Sequence, residues 1–224
     1  MRREARLVAQ EPSPVLRFWH ELGCQLRHPS GGKGRWVGHL MSVINRQPNR
    51  LALGALQVSM TDNVLELGVG SGWALRRLAR LACRGQVWGI DQSSEMLRLA
   101  SRHVHSSAGR AAVAKARFES LPFPTESFDR LLAVNVAYFF DRDGRDLREA
   151  YRVLRPGGRM AIYVSDRKTL AKWPFAGEDT HRAYDADELL AAVVGAGFAP
   201  NGVAIVTVKL PLAVSGLLAT AVKQ

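Results

Sequence analysis

The amino-acid sequence predicts an α/β fold in which helices cover both faces of a largely parallel sheet. Residues 64–72, V-L-E-L-G-V-G-S-G, are a short apolar strand that breaks into glycines directly before a helical pattern. Residues 130–136, R-L-L-A-V-N-V, form an apolar run interrupted by Asn135, which is typical of a central strand buried on both faces. Strand-length apolar segments then alternate with segments of helical periodicity as far as residue 223.

Hydrophobic periodicity assigns the individual elements. An N-terminal helical extension over residues 1–60 precedes a main domain over residues 61–224, and no internal repeat or linker divides that domain. Helices are predicted over residues 15–26, 36–44, 49–58, 73–82, 93–103 and 141–154, and a last helix begins at an Asp185 cap and is stopped by Gly195 and Gly197. Strands are predicted over residues 64–67, 86–90, 112–118, 130–136, 159–164, 201–209 and 216–223.

The composition limits the class of protein. The 224 residues carry a formal net charge of +11, which favours an anionic partner such as an acidic substrate, nucleic acid or a lipid surface; solubility alone is the alternative. No apolar run approaches the roughly 18 residues of a membrane span, and the N-terminus lacks the apolar segment of a signal peptide. Cys24 and Cys83 form no disulfide or metal pattern, so we expect a cytoplasmic protein without a metal site.

The glycines after the first strand predict a cofactor pocket. A strand that ends in Gly68, Gly70 and Gly72 exposes backbone N–H groups to a ligand, because glycine has no Cβ to hold the ligand away. Asp91 ends the second strand, and a right-handed βαβ crossover brings it beside this turn. Its carboxylate can accept both hydroxyl hydrogens of a ribose. The alternative is that Asp91 only caps the following helix.

Four motifs in order now carry a family resemblance: E-L-G-V-G-S-G, the acid Asp91, L-P-F-P-T-E-S-F-D, and E-A-Y-R-V-L-R-P-G-G-R before a strand. Together they resemble a class I S-adenosylmethionine-dependent methyltransferase of the UbiE and type-11 group. The resemblance covers roughly residues 60–200 and implies a Rossmann-like, doubly wound, seven-stranded sheet of order 3-2-1-4-5-7-6 with the last strand antiparallel.

The same resemblance implies S-adenosyl-L-methionine as cofactor, with S-adenosyl-L-homocysteine as its product. Glu66 and the turn residues Gly68, Val69, Gly70 and Gly72 would then border the methionine moiety. Asp91 would bind the ribose hydroxyls. The adenine would lie against Gln92, Phe118 and Glu119, and Asn135 with Val136 would lie near the methionyl end.

One position departs from the family pattern. Relatives carry a G-D-A-E-like run before L-P-F, whose aspartate binds the adenine amino group, whereas this chain has A-R-F-E with Arg117 at that place. Arginine cannot accept a hydrogen bond. Glu119 replaces the aspartate, or backbone carbonyls hold the adenine, or the adenine end is bound more weakly.

Two other classes of function are alternatives to a methyltransferase. An NAD(P)-dependent oxidoreductase shares the architecture, but its Gly-x-Gly-x-x-Gly pattern would place the third glycine at Trp73, where an indole obstructs the close approach of helix and strand. A non-catalytic binding domain is the other alternative. Binding of S-adenosylmethionine, of NAD or of neither distinguishes the three.

The acceptor of the methyl group is the least determined part. Candidates for a general base are Tyr138, His181 and Tyr184, with His20 and His39 reaching in from the extension, although a structural role is the alternative for each.

We expect a small, anionic acceptor beneath a lid formed by residues 15–45 and 166–184, with a lipid or quinone-like molecule at a membrane surface as the alternative. A nucleic-acid substrate is disfavoured because no RNA-binding module is visible. The oligomeric state is open, and a homodimer is one option.

Overall fold

The computed structural model describes residues 20–24, 45–104, 109–177, 180–211 and 213–224. These residues build one seven-stranded sheet of order β3-β2-β1-β4-β5-β7-β6. Strands β1 to β5 run parallel, whereas β7 is antiparallel to both β5 and β6. The strands are β1 Val64–Leu67, β2 Val87–Asp91, β3 Ala111–Lys115, β4 Phe128–Val134, β5 Leu154–Ser165, β6 Val203–Leu210 and β7 Val214–Val222. The predicted fold class and strand order are therefore confirmed.

The helices pack on both faces of this sheet. Alternate residues of each strand point to opposite faces, so Leu131 of β4 joins one apolar core and Leu132 joins the other. The helices are α1 Arg46–Leu56, α2 Trp73–Leu81, α3 Ser94–Val104, α4 Arg145–Val153, α5 Arg167–Leu170 and α6 Ala186–Gly195. Helices α1, α2 and α3 cover the face of Leu132, and α4 and α6 cover the face of Leu131.

Several element boundaries differ from the predicted ones for local reasons. Strand β3 ends at Lys115 rather than residue 118, because the chain leaves the sheet in a turn closed by an Arg117–Ser120 bridge. Helix α4 begins only after Gly144, whose left-handed φ of 75° ends the preceding loop. Strand β5 begins at Leu154, earlier than predicted, because Gly157 and Gly158 exchange backbone hydrogen bonds with Lys223 at the end of β7.

Part of the predicted N-terminal extension lies outside the described residues. The helix predicted over residues 36–44, with His39, falls there, as does most of the helix predicted over residues 15–26. Within the latter, residues 20–24 are helical. Gly23 lies against the Phe175 carbonyl and within 3.2 Å, measured from an ideal Cβ, of the Thr180 hydroxyl oxygen, so this helical turn packs closely on the segment after β5.

Candidate cofactor site at the carboxyl edge of the sheet

The glycine turn after β1 is fixed to the neighbouring strand β2. The backbone N–H groups of Gly68 and Val69 both donate to the Ile90 carbonyl, at 2.8 and 3.1 Å. Gly68, Gly70 and Gly72 all adopt left-handed backbone conformations, with φ of 72°, 51° and 84°. Only glycine adopts this region at no steric cost, so the predicted turn geometry is present.

Two of these glycines are also required by packing, and the third is not. A Cβ on Gly68 would lie 2.7 Å from the Val136 side chain, and one on Gly72 would lie 2.8 Å from the Ala100 Cα. Among the residues that the structure describes, a Cβ on Gly70 would meet no atom closer than 4.0 Å. The space beside Gly70 is therefore left open by the protein itself, as a bound ligand would require.

Glu66 is the acid inside β1, and its carboxylate is incompletely satisfied. Its side chain is buried, and its Oε2 atom has no hydrogen-bond partner among the described residues. Burial, and then repulsion from Asp91, raise the pKa of Glu66 well above its ordinary value. A buried acceptor without a donor is costly, so this site favours a ligand that brings a cationic or N–H donor group.

Asp91 is held in a fixed orientation at the end of β2. Its Oδ2 accepts from the backbone N–H of Gly70 at 3.1 Å, and its Oδ1 accepts from that of Ser93 at 2.9 Å. Burial raises the pKa of Asp91, while hydrogen bonds from Ser93, Gly70 and Gln92 act in the opposite direction. The carboxylate thus links the glycine turn to the start of α3, and each oxygen retains a lone pair for a ligand hydroxyl.

Asn135 ends β4 in a left-handed conformation with φ of 53°. Its Nδ2 donates to Asn45 Oδ1 at 2.8 Å, and its Oδ1 accepts from the Tyr138 hydroxyl at 2.7 Å. The Tyr138 hydroxyl in turn accepts from the backbone N–H of Ser165 at the end of β5. One carboxamide therefore connects the entry to α1, the end of β4 and the end of β5.

No motif in the sequence indicates that Asn45 takes part in this network. Asn45 precedes α1, and 90 positions separate it from Asn135. The only local signal would have been an asparagine at the start of a helix, which normally indicates a side-chain cap. Asn45 instead makes no side-chain cap and points toward Asn135.

The loop after β3 contains two of the three predicted adenine residues, Phe118 and Glu119, whereas Gln92 directly follows β2. Phe118 is buried in the core edge-on against Phe140, at 5.8 Å between ring centroids, so its backbone rather than its ring is available to a ligand. Glu119 is largely buried, with 12% of its side chain exposed, and it pairs with Arg117, whose side chain is 77% exposed. The position of the missing aspartate is thus occupied by an ion pair with a donor and an acceptor side by side.

The three predicted base residues lie at the same edge, beyond β4 and β5. Tyr138, Phe139, Phe175 and His181 form an aromatic cluster in which the His181 ring lies 5.0 Å from Phe139 and 5.7 Å from Tyr138. The buried Tyr184 hydroxyl donates to the Ala137 carbonyl at 3.2 Å. Nδ1 of His181 lies 3.0 Å from the Thr180 hydroxyl oxygen.

Burial sets the protonation of the two tyrosines. It raises the pKa of Tyr184 to about 12, and it raises that of Tyr138 as well. A tyrosine that holds its proton so tightly is a poor general base. The geometry favours a structural role for both hydroxyls, while His181 is a member of the aromatic cluster.

Comparisons with known proteins show similarity to methyltransferases. Residues 65–162 match the family described as "Methyltransferase domain". The uncharacterized methyltransferase YdaC of Bacillus subtilis is 28% identical over 132 residues, covering 59% of this chain and 72% of its own length. The ubiquinone/menaquinone biosynthesis C-methyltransferase UbiE of Geotalea daltonii is 36% identical over 123 residues, covering 53% of this chain and 52% of its own.

Solved structures share the fold. The methyltransferase solved in complex with the Haloferax volcanii Trm112 activator superposes with a TM-score of 0.71 at 19% identity, covering 92% of this chain and 99% of the other. The fold and the glycine turn define a class I methyltransferase architecture. Residues 65–162 thus carry a methyltransferase domain, and these similarities support a class I S-adenosylmethionine-dependent methyltransferase, as predicted. It spans about half to seven tenths of the length of the curated relatives named above.

Two features are absent from the described part of the chain. There, no three His, Cys, Asp or Glu side chains are grouped so that they could bind a metal ion. Within the same ranges, no helix has the length and apolar character needed to cross a bilayer.

Proposed function

We propose that this chain binds S-adenosylmethionine across the carboxyl edges of β4, β1, β2 and β3 and directs its methyl group to a small-molecule acceptor. The observation that carries the proposal is the buried, incompletely paired carboxylate of Glu66, which lies near Asp91 and therefore near the glycine turn that Asp91 binds. A cationic ligand satisfies this acceptor, and S-adenosylmethionine carries both an ammonium and a sulfonium group.

The strand order supports an extended orientation for the cofactor. Ligands of open α/β sheets lie outside the carboxyl ends of the strands, where the strand order reverses, here between β1 and β4. Glu66 on β1 would face the methionyl end, Asp91 on β2 would accept the ribose hydroxyls, and the loop after β3 would hold the adenine. Neighbouring strands lie nearly 5 Å apart, so this succession matches an elongated nucleoside with a side chain.

The Arg117–Glu119 pair is suited to the hydrogen-bonding edge of adenine. That edge presents an acceptor at N1 beside a donor at the 6-amino group. The Arg117 guanidinium can donate to the first and the Glu119 carboxylate can accept from the second. An ion pair would therefore replace the single aspartate of the relatives, which explains how adenine binding survives the arginine.

When bound, the cofactor supplies an activated methyl group on a positively charged sulfur. The chain would mainly align this group with the acceptor and exclude water, which together account for several kcal/mol of the barrier. Asn135 and Tyr138 are positioning residues in this proposal, since their side chains bond to each other and to the backbone. His181 is the candidate for a proton acceptor where the acceptor molecule must lose a proton.

The acceptor would lie beneath the helical residues 20–24 and the segment after β5. Gly23 packs against this segment, and the aromatic cluster lies next to it. Rings at this position favour a planar or apolar body in the acceptor. A quinone-like molecule is the second candidate, supported by the relatives named for ubiquinone and menaquinone biosynthesis.

A thermal-shift titration tests the cofactor class. S-adenosylhomocysteine at a hundred times its Kd stabilises a one-site protein by about 2.7 kcal/mol, which corresponds to a rise in Tm of about 5–11 °C at this size. NAD should leave the Tm unchanged. A shift with NAD instead would indicate an oxidoreductase, and no shift with either ligand would contradict the proposal.

The acceptor is then identified with cofactor carrying a labelled methyl group. Incubation with a metabolite extract of the source cell, followed by separate analysis of aqueous and lipid fractions, should place the label in one small-molecule product. Label in the lipid fraction would favour the quinone-like acceptor, and label in protein or nucleic acid would contradict a small-molecule acceptor.

A further inference from the structure

The outer face of α2 consists almost entirely of arginine. Its exposed positions are Arg76, Arg77, Arg80 and Leu81, and the helix contains no acidic residue. The exposed Arg84 follows directly after the helix. A solvent-facing helix surface normally mixes both signs of charge, so this one is unusual.

Helix α3 extends the same charge. Its exposed positions include Arg98 and Arg102, and its one acid, Glu95, pairs with Arg98 at 2.7 Å. The start of α2 packs directly on α3, since a Cβ on Gly72 would lie 2.8 Å from the Ala100 Cα and 3.0 Å from the His103 ring. Arg76 and Arg102 both lower the pKa of His103, after the larger effect of its burial. The two helices therefore present a single surface. We call it the arginine face, and it comprises Arg76, Arg77, Arg80, Arg84, Arg98 and Arg102.

This charge is not neutralised within the part of the chain that the structure describes. Apart from Arg98, no member of the arginine face forms an ion pair within 4 Å among those residues. Some arginines elsewhere do pair with acids: Arg130 with Asp62, Arg152 with Glu149 and Arg155 with Asp129. The arginine face thus groups five arginines that have no acidic partner among the described residues.

Apolar side chains border the same surface. Leu81 is 45% exposed, and Met60 is 55% exposed. The backbone N–H of Arg84 donates to the Met60 carbonyl at 2.8 Å, which places Met60 beside the end of α2. At the other end of the helix, the half-buried Trp73 ring lies 4.1 Å from the Arg77 guanidinium. The arginine face therefore has exposed apolar groups at one end and an indole at the other.

We infer that the arginine face binds the surface of an anionic phospholipid bilayer, with Leu81 and Met60 entering the headgroup region. Guanidinium groups match phosphate geometry, and leucine, methionine and tryptophan side chains favour the boundary between headgroups and acyl chains. A nucleic acid would also attract the arginines, but it would gain nothing from exposed Leu81 and Met60. The pairing of unneutralised charge with exposed apolar side chains is what favours a bilayer.

Co-sedimentation of the full chain with lipid vesicles tests this surface. Vesicles of about three parts phosphatidylglycerol to seven parts phosphatidylcholine should bind the protein at ~0.1 M salt, and pure phosphatidylcholine vesicles should not. The combined variant Arg76→Gln, Arg77→Gln, Arg80→Gln and Arg84→Gln should lose at least about tenfold in vesicle affinity, because each basic residue near an anionic surface contributes separately.

A matched control removes the same charge elsewhere. Arg142→Gln, Arg148→Gln, Lys172→Gln and Lys209→Gln change exposed residues outside the arginine face and should lower vesicle affinity by no more than about threefold. Equal losses in the two variants would mean that net charge alone drives binding and would overturn the inference. Circular dichroism confirms that both variants remain folded.

A second variant separates the bilayer from nucleic acid. Leu81→Ser with Met60→Ser should weaken vesicle binding by at least about fivefold while leaving the affinity for a short DNA duplex unchanged. Vesicle binding that is indifferent to this double substitution, or a duplex that binds more tightly than the vesicles at the same salt, would contradict the bilayer as the partner.

Discussion

Glu66 and Asp91 are neighbouring carboxylates with different surroundings. Asp91 accepts backbone hydrogen bonds on both oxygens, whereas one oxygen of Glu66 has no partner among the described residues. Burial disfavours the ionised form of an acid, and hydrogen bonds favour it. The backbone hydrogen bonds to Asp91 therefore offset part of the rise in its pKa on burial, whereas the rise in the pKa of Glu66 is not offset in this way. The two acids are thus prepared for different ligand groups, hydroxyls for Asp91 and a cation for Glu66.

Replacing Asp91 tests the ribose contact. Asp91→Ala should weaken the binding of S-adenosylhomocysteine by about 1.5–3 kcal/mol, the usual worth of a hydrogen bond to a charged group. Isothermal titration calorimetry measures the loss, and Asp187→Ala, which removes an exposed acid on α6, serves as control. An affinity within about twofold of the parent would refute the ribose assignment.

Exchanging the base of the ligand tests the Arg117–Glu119 pair. In S-inosylhomocysteine the 6-amino donor becomes a carbonyl acceptor and N1 gains a hydrogen, so both hydrogen bonds to the pair are reversed. We expect the parent to prefer the adenosyl ligand by about tenfold or more. Glu119→Gln should reduce this preference, because a carboxamide can rotate to offer either a donor or an acceptor. A preference that is unchanged in Glu119→Gln would show that other groups select the base.

Two helices begin in opposite ways, and the difference follows their roles. Helix α2 starts at Gly72 without a side-chain cap and with no acid in its first turn, so its terminal N–H groups remain available at the glycine turn. Helix α6 starts with a complete capping box in which Asp185 and Glu188 bond each other's backbone N–H. The N-terminus of α2 faces the candidate cofactor site, whereas the cap at the N-terminus of α6 serves only to stabilise the helix.

The capping box of α6 gives a prediction about stability. Asp185→Ala should lower the free energy of unfolding by about 1 kcal/mol, within the range of 0.5–2 kcal/mol for lost caps, and the Tm by about 2–4 °C. Asp187→Ala in the same first turn removes a charge without removing the cap, so its effect should be smaller. Thermal unfolding followed by circular dichroism compares the two, and equal losses would mean that only the helix-dipole charge matters.

For helices and strands, the sequence predicts the features that depend on adjacent residues and misses those that depend on contacts between residues far apart in the chain. The strand before the glycines, α2 and the Asp185 cap follow from residues that are adjacent in the chain. The end of β3 does not, because residues 116–118 have strand-like composition while the backbone turns toward Ser120. The roles of Asn45 and Ser165 in the Asn135 network could not be predicted either, since both contacts depend on the tertiary fold.

For the molecule as a whole, Glu66 couples cofactor binding to global stability. Its pKa is raised in the folded state, so the folded protein retains a proton that the unfolded chain releases. This difference lowers the free energy of unfolding. The loss is absent below the ordinary pKa of 4.5, grows as the pH rises, and is complete above the folded-state pKa of Glu66. The same carboxylate is needed in its ionised form for a cationic ligand.

Glu66→Gln should therefore have opposite effects on stability and binding. The Tm of the variant should exceed that of the parent by an amount that increases as the pH rises above about 5, at about 2–4 °C for each kcal/mol of penalty removed. Its affinity for S-adenosylhomocysteine should fall. Differential scanning calorimetry at several pH values measures the first effect. A Tm difference that is constant with pH would show that Glu66 is not the titrating group.

The Asn135 network carries a consequence for sequence variation among relatives. Asn45, Asn135 and Tyr138 contribute side chains to it, whereas Ser165 contributes only its backbone N–H. A change at any of the first three positions would leave a partly buried polar group of its partner without a hydrogen bond. These three positions should therefore covary among relatives. Position 165 should vary freely with respect to them, because every residue except proline supplies the same N–H. Covariation that includes position 165 as strongly as the other three would indicate a constraint other than this hydrogen-bond network.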